Sequence, residues 1–451
     1  MTKNVSRRQS SSRAERLAGD GAGSRNRWLV GRERELALID RVLSAFAAGE
    51  RPRLIVGGEP GIGKSALLRE LSARACARGL RTVTGAGDEL GSDVPLALLI
   101  DALDCPLSAL DASDALALGP ARVAELARVF PAVAAQLPAD APAPAGDAAL
   151  HGALTAALER VAVAEPLVIA LDDVQWADDA SLSLLARLLR RPPRRVLIAL
   201  AHRSGSLPDL LARAIGLSAA DGELHHVELG PLPPRAAALL LEGIEPARGR
   251  QLLHESGGNP FYLSELATSE RANGPPLTLR AAIVAELSAL SRPAADLVRA
   301  AGVLGDPFDP QLAAQVAGLT GDATEDALQE LVAAELVRAT DQPERWRFRR
   351  PVVAAVARHW AGGAWRLTAH GRAAELLSAT GAPLAVRAHH VERSARPGDA
   401  AAAELLAAAG TELLNREPQR AAHWFGAGSS CSARSAASSS RPARACRPSA
   451  S

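Results

Sequence analysis

Lysine is nearly missing from this 451-residue chain, which writes 49 arginines and two lysines. Wherever a generic surface cation would serve, the sequence uses Arg, so Lys64 stands out. Aromatic residues make up 3% and the formal net charge is +1, so no global field announces nucleic acid or a membrane surface. Cysteine is also sparse. Cys76, Cys105, Cys431 and Cys446 show neither metal-ligand spacing nor a disulfide framework, which suits a reducing cytoplasm. No stretch approaches ~18 uninterrupted apolar residues, and the basic, Ser-rich N-terminus has no apolar core of a secretory signal. The expectation is a cytoplasmic protein without a membrane span. The last 25 residues contain no acid and no aromatic, and nine are Ser; such a segment buries too little apolar surface to order itself. The change at Gly426 is abrupt, interrupts a helical pattern in "REPQRAAHWF", and suggests that a frame or domain is cut there.

What is present centres on Lys64. The stretch "LIVGGEPGIGKSALLREL" fits G-x-x-x-x-G-K-[ST] with Gly58, Gly63, Lys64 and Ser65 in the fixed places. Leu54, Ile55 and Val56 read as a buried strand and Ala66 to Ala75 as a helix, which is the strand-loop-helix the motif requires. Backbone N–H groups of such a loop converge on phosphate oxygens, and the helix N-terminus adds its positive end. Lys64 would reach the β and γ phosphates of ATP, and Ser65 would ligate Mg²⁺.

A second apolar run, "EPLVIALDD", ends in Asp172 and Asp173, 108 residues after Lys64. The carboxyl end of a buried parallel strand is where the magnesium-side acid belongs. Asp172 would hold Mg²⁺ through water and Asp173 would position the attacking water. Asp178 or Asp179, ahead of "ASLSLLARLLRR", reads instead as a helix N-cap. Three further runs, near Arg81 to Gly87, Arg194 to Arg203 and Leu224 to Gly230, alternate with helical patterns and complete a five-stranded parallel α/β sheet. Arg203 leaves its strand on the same edge as Lys64 and is the candidate γ-phosphate sensor.

These pieces resemble the signal-transducing ATPases with numerous domains, in particular the large ATP-binding regulators of the LuxR type, whose ATPase module is AAA-like or Orc1-like. The resemblance rests on "WLVGRERELALIDRVL", the phosphate loop, "LDDVQWADDASLSLLARLLR" and "SGGNPFYLSELA", and runs from about Trp28 to Ala400. It implies that Val30, Gly31 and Arg32 lie along the adenine. It implies that Gly58, Glu59, Pro60, Gly61, Ile62, Gly63, Lys64, Ser65 and Ala66 hold the phosphates, and that Pro260 packs on the adenine from a lid. It also implies an ATP/ADP switch in which Lys64, Asp173 and Arg203 act in slow hydrolysis and Ser65 and Asp172 hold Mg²⁺. Beyond the lid, "EDALQELVAAELV" and "RATDQPERWRF" resemble a winged helix, read from the residues as three amphipathic helices and a hairpin. Its third helix is acidic, so no direct sequence-specific DNA binding is expected. Where the family has a histidine, this chain has Arg350 in "FRRPVVAAVAR", a longer and permanently charged phosphate donor.

The expected division is a disordered basic arm over 1–27, a P-loop ATPase core over 28–235 and a helical lid over 236–275. A winged helix over 276–363, the start of a tetratricopeptide-like array over 364–426 and a disordered tail over 427–451 follow. His389 and His390, adjacent in sequence, point in different directions on a helix and read as a solvated face. The implied partners are ATP, an unknown inducer or protein at the C-terminal array, and a second copy of the chain in the ATP-bound form, with no membrane. Two rivals are an Orc1-like DNA-associated ATPase, and a phosphotransferase with a second substrate pocket near Arg248 and Arg250. The helix-turn-helix expected of a LuxR-type regulator is absent from the sequence.

Overall fold

The computed structural model describes residues 29–88, 95–135, 147–219, 222–268, 275–342, 344–414 and 417–432. The arm over 1–27 and the tail beyond 432 lie outside the described residues. The chain folds as two units, residues 1–270 and 271–451.

The first unit is built on strands β1 (Arg53–Gly58), β2 (Arg81–Ala86), β3 (Leu167–Asp172), β4 (Val196–Arg203) and β5 (Leu224–Leu229), ordered β2-β3-β4-β1-β5. Every pairing is parallel. These are the five runs expected from sequence, and the fold is that of an α/β P-loop ATPase. The alternation of side chains explains the layers. Ile55, Ile169, Leu171, Ile198 and Leu200 face a core shared with helices Asp147–Ala164, Asp179–Arg190 and Asp209–Ser218. Their neighbours Leu54, Val56, Val168, Ala170, Leu197 and Ala199 face the opposite core, shared with helices Glu33–Ala47 and Lys64–Ala77. Interior strand β1 is buried along its whole length, whereas edge strands β2 and β5 are half-exposed. Four helices between Ala97 and Ala134 add to the first core.

The second unit contains four helices between Leu277 and Ala333, one more than expected, because Ser291 caps a separate helix Arg292–Leu304 through the N–H of Ala294. A short antiparallel hairpin follows, β6 (Val337–Ala339) with β7 (Trp346–Phe348). Helices Pro351–Trp360, Gly363–Ala379, Leu384–Ser394, Ala400–Leu413 and Pro418–Ser432 complete it. The last of them corrects the start of the expected disordered tail over 427–451: residues 427–432 belong to a helix that runs on to Ser432. Small residues explain it, since Cβ atoms on Gly410 and Gly428 would lie 3.0 Å from Phe425 and 3.2 Å from Ala403, so the two helices pack closely there. Buried Trp424 anchors the contact against Leu406 and Ala409.

Among the described residues no helix is long and apolar enough to cross a membrane.

Candidate nucleotide site

The phosphate loop follows β1 and ends in helix Lys64–Ala77. Gly63 precedes the helix at φ 111°, a conformation that a side chain would strain, which is the physical demand behind the motif's second glycine. The Lys64 ammonium donates to the carbonyls of Gly58 at 2.9 Å and Glu59 at 3.1 Å. Burial pulls the Lys64 pKa down, against the opposing pull of Asp173 and then Asp172.

Asp172 closes β3 beside this lysine. Burial pushes its carboxyl up, opposed by a hydrogen bond from the Ser65 hydroxyl, while the like charge of Asp173 pushes the same way as burial. Ser65 and Asp172 therefore meet as two hard oxygen donors, a set suited to Mg²⁺. Asp173 sits in the left-handed region at φ 49°, its N–H donating to Asp172 Oδ1 at 3.0 Å, and accepts from Gln175 Nε2 at 3.0 Å. Gln175 in turn accepts from the N–H of Arg203 at 3.1 Å, joining the ends of β3 and β4. The Arg203 guanidinium lies 5.6 Å from the centre of the Trp176 ring.

Lys64, Ser65, Ala66, Asp173, Arg203 and Phe261 line one cleft of about 270 Å³ with Pro60, Gly61 and Gly63. Asp172 is reached from it through Ser65. Glu59 and Ile62 are buried under the loop.

The adenine-side residues are placed differently from one another. Arg32 is buried, and its guanidinium donates to the carbonyls of Gly230 at 2.6 Å and Ile62 at 3.3 Å and pairs with Glu35 at 3.2 Å. It ties the segment Val30–Gly31 to the phosphate loop and to the end of β5, a structural use of the side chain. Pro260 is buried at the start of helix Pro260–Thr268 and does not line the cleft; its neighbour Phe261 does. Arg350 belongs to the second unit, buried at the residue before helix Pro351–Trp360.

Several residues of the site escaped the motif search. Asn259, 1% exposed, donates to the Pro60 carbonyl at 2.9 Å and accepts from the Phe261 N–H at 3.1 Å, clamping the segment to the loop. In "GGNPF" the residue that meets the loop is Asn259, one before the proline that the resemblance points to. Gln175 has no spacing signature at all. Gly87, at the end of β2, has no room for a side chain, since its Cβ would lie 2.3 Å from the Asp173 carbonyl. Glu228 of edge strand β5 accepts from the Ser204 hydroxyl, next to the loop's Gly58, whose carbonyl accepts from the Ser204 N–H at 3.3 Å.

The fold is that of the α/β P-loop ATPase class, and the cleft lies at the carboxyl ends of its strands. Consistent with that class, residues 29–200 match the AAA ATPase domain family. An uncharacterized protein of Rhizobium meliloti is 27% identical over 321 residues, covering 64% of this chain and 30% of the relative. A Signal Transduction ATPase with Numerous Domains (STAND) protein with a tetratricopeptide repeat sensor, from Pyrococcus horikoshii, is similar at 16% identity and a TM-score of 0.34. The alignment covers 88% of this chain and 52% of that one. The RuvB Holliday junction branch migration motor of Thermotoga maritima is similar at 15% identity and a TM-score of 0.35, covering 71% of this chain and 92% of that one. The chain thus spans about a third of the curated relative and about half of the STAND protein.

Proposed function

We propose that this protein is an ATP-binding signalling switch that hydrolyses ATP slowly. The observation that carries the reading is the convergence of Lys64, Ser65, Asp173 and Arg203 on one cleft, with Asp172 bonded to Ser65 behind it. Lys64 is the point charge for the β and γ phosphates, made stronger by its partial burial. Ser65 and Asp172 are the residues that would hold Mg²⁺, which supplies charge neutralisation at phosphate oxygens. Asp173 holds and polarises the attacking water, Gln175 orients Asp173, and Arg203 meets the charge that develops on the γ-phosphate.

The kinship to LuxR-type regulators belongs to the same proposal, on the strength of the motifs. In it, ADP favours a resting form, ATP favours self-association, and helices between Gly363 and Ser432 receive an inducer or protein partner. Segments 236–275, 276–363 and 364–426 act as lid, winged helix and array. The DNA-associated rival is weakened by helix Asp322–Ala333, which carries Asp322, Glu325, Asp326 and Glu330 and no cation.

Equilibrium binding of labelled ATP to the purified chain and to Lys64→Ala tests the proposal. The expected loss on mutation is about 100-fold, as for a charge-assisted phosphate contact of roughly 3 kcal/mol. Unchanged affinity in a folded Lys64→Ala protein would overturn the assignment of the cleft.

A further inference from the structure

A second and larger concavity lies in the first unit, on the side of the sheet that carries helix Asp179–Arg190. It encloses about 600 Å³, within the range of small-molecule sites. Leu96, Ile100, Val129, Leu150 and Leu184 form apolar walls, while Arg128 and Arg187 bring two guanidinium groups to the lining. Asp179 is the single acid among the described residues of the lining. It occupies the first turn of its helix, where the positive end of the helix dipole offsets its charge.

We propose that this cavity is a ligand site, separate from the nucleotide cleft, for an organic anion with an apolar body, such as a medium-chain carboxylate. Two features beyond the cavity itself favour an anion. Among the described residues the Arg187 side chain makes no hydrogen bond or ion pair, and it stands exposed at the rim of the cavity, where its planar fork of donors suits a carboxylate. Beside it, the neighbour of Leu150, His151, keeps a buried Nε2 with no hydrogen-bond partner among the described residues. Burial, and then the charges of Arg187 and Arg191, hold that imidazole below its ordinary pKa. Arg128 is less open, with Nη2 3.7 Å from Glu125 Oε2.

The cavity is joined to the catalytic edge by a short path. Leu96 adopts a left-handed conformation at φ 63°, and its N–H donates to Asp178 Oδ1 at 2.9 Å. Asp178 also caps helix Asp179–Arg190 through the N–H of Ser181 at 2.9 Å, and stands five residues after Asp173. A ligand against Leu96 therefore bears on the segment that carries the acid pair.

The test is isothermal titration of the full chain with decanoate and with the uncharged decanamide, alongside Arg187→Ala and Ser183→Trp. Ser183 lines the cavity from an exposed helix position, so an indole there fills the space without entering a core. Decanoate should bind at one site. Arg187→Ala should weaken it about tenfold, the magnitude of one charge-assisted hydrogen bond. Ser183→Trp should abolish it, with ATP binding retained in both variants. Failure of decanoate to bind, equal binding of decanamide, or undiminished binding in Ser183→Trp would each overturn the proposal. Loss of ATP binding in Lys64→Ala leaves decanoate affinity untouched, so the two sites fail independently.

Discussion

Buried polar groups are treated differently in the two units. At the end of the parallel sheet, Lys64, Asp172 and Asp173 lie close together, with carboxylates facing an ammonium. Among the helices of the second unit, His370 and His390 are also buried, but they meet as a pair, Nδ1 to Nδ1 at 2.9 Å, with the ring of His389 5.1 Å from that of His390. One proton serves that hydrogen bond, so one imidazole donates and the other accepts. Burial, then His390 and Arg393, push His370 down to about 3; burial, then His389 and Arg393, push His390 down to about 4. Opposite charges are collected at the proposed nucleotide cleft, and neutral groups are paired inside the helices of the second unit.

The largest expected effect lies on the neutral side of this comparison. An unfolded histidine titrates near 6.5, so a folded-state pKa below that makes the unfolded chain bind more protons as pH falls. The stabilisation from the pair is present in full above pH ~6.5 and is lost progressively on acidification. The slope is about 1.4 kcal/mol per pH unit for each imidazole, so about 2 kcal/mol per imidazole disappears between pH 6.5 and 5. Denaturant unfolding at a series of pH values, on the chain and on His370→Gln/His390→Gln, measures it. An acid slope that survives the double substitution would place its origin elsewhere.

On the charged side, Asp173→Asn should still bind Mg-ATP but release phosphate at least about tenfold more slowly, because an amide cannot accept the water's proton. Steady-state phosphate release with a parallel binding titration separates the two effects. Undiminished turnover would move the catalytic role from Asp173 to another group.

The same contrast governs what could be read from sequence. The phosphate loop and the acidic strand end are local patterns, with fixed spacing around one backbone bend and apolar strands that announce themselves. The partners that complete the site are not local: Asn259 meets Pro60 across 199 residues, and Gln175 meets Arg203 across 28. His370 and His390 sit on different helices, so the sequence pattern shows only the adjacent His389–His390, which reads as a solvated face. Burial of His390 corrects that expectation. Gly426 misled for a related reason, since glycine reads as a stop signal unless the facing helix that exploits a small residue is known. The cavity beside Arg187 left no mark in sequence, because its described walls come from three separate helices and two turns.

The smallest expected effect concerns Arg350, where the sequence departs from the pattern it resembles. A histidine set against the β-phosphate of ADP is a short donor whose charge varies near neutral pH, whereas arginine is longer, always protonated and able to grip two oxygens. If the Arg350 guanidinium serves the nucleotide, its reach extends to the γ-phosphate, and the preference for ADP over ATP falls. The purified chain should then carry little retained ADP, and Arg350→His should shift the preference toward ADP by about fivefold. That shift equals about 1 kcal/mol, inside the ordinary range of coupling energies. Nucleotide content after gel filtration and competitive binding of ADP and ATP to both proteins provide the measurement. Stoichiometric ADP in the unmodified chain, together with an unchanged preference in Arg350→His, would remove Arg350 from the nucleotide and leave it a packing residue of the second unit.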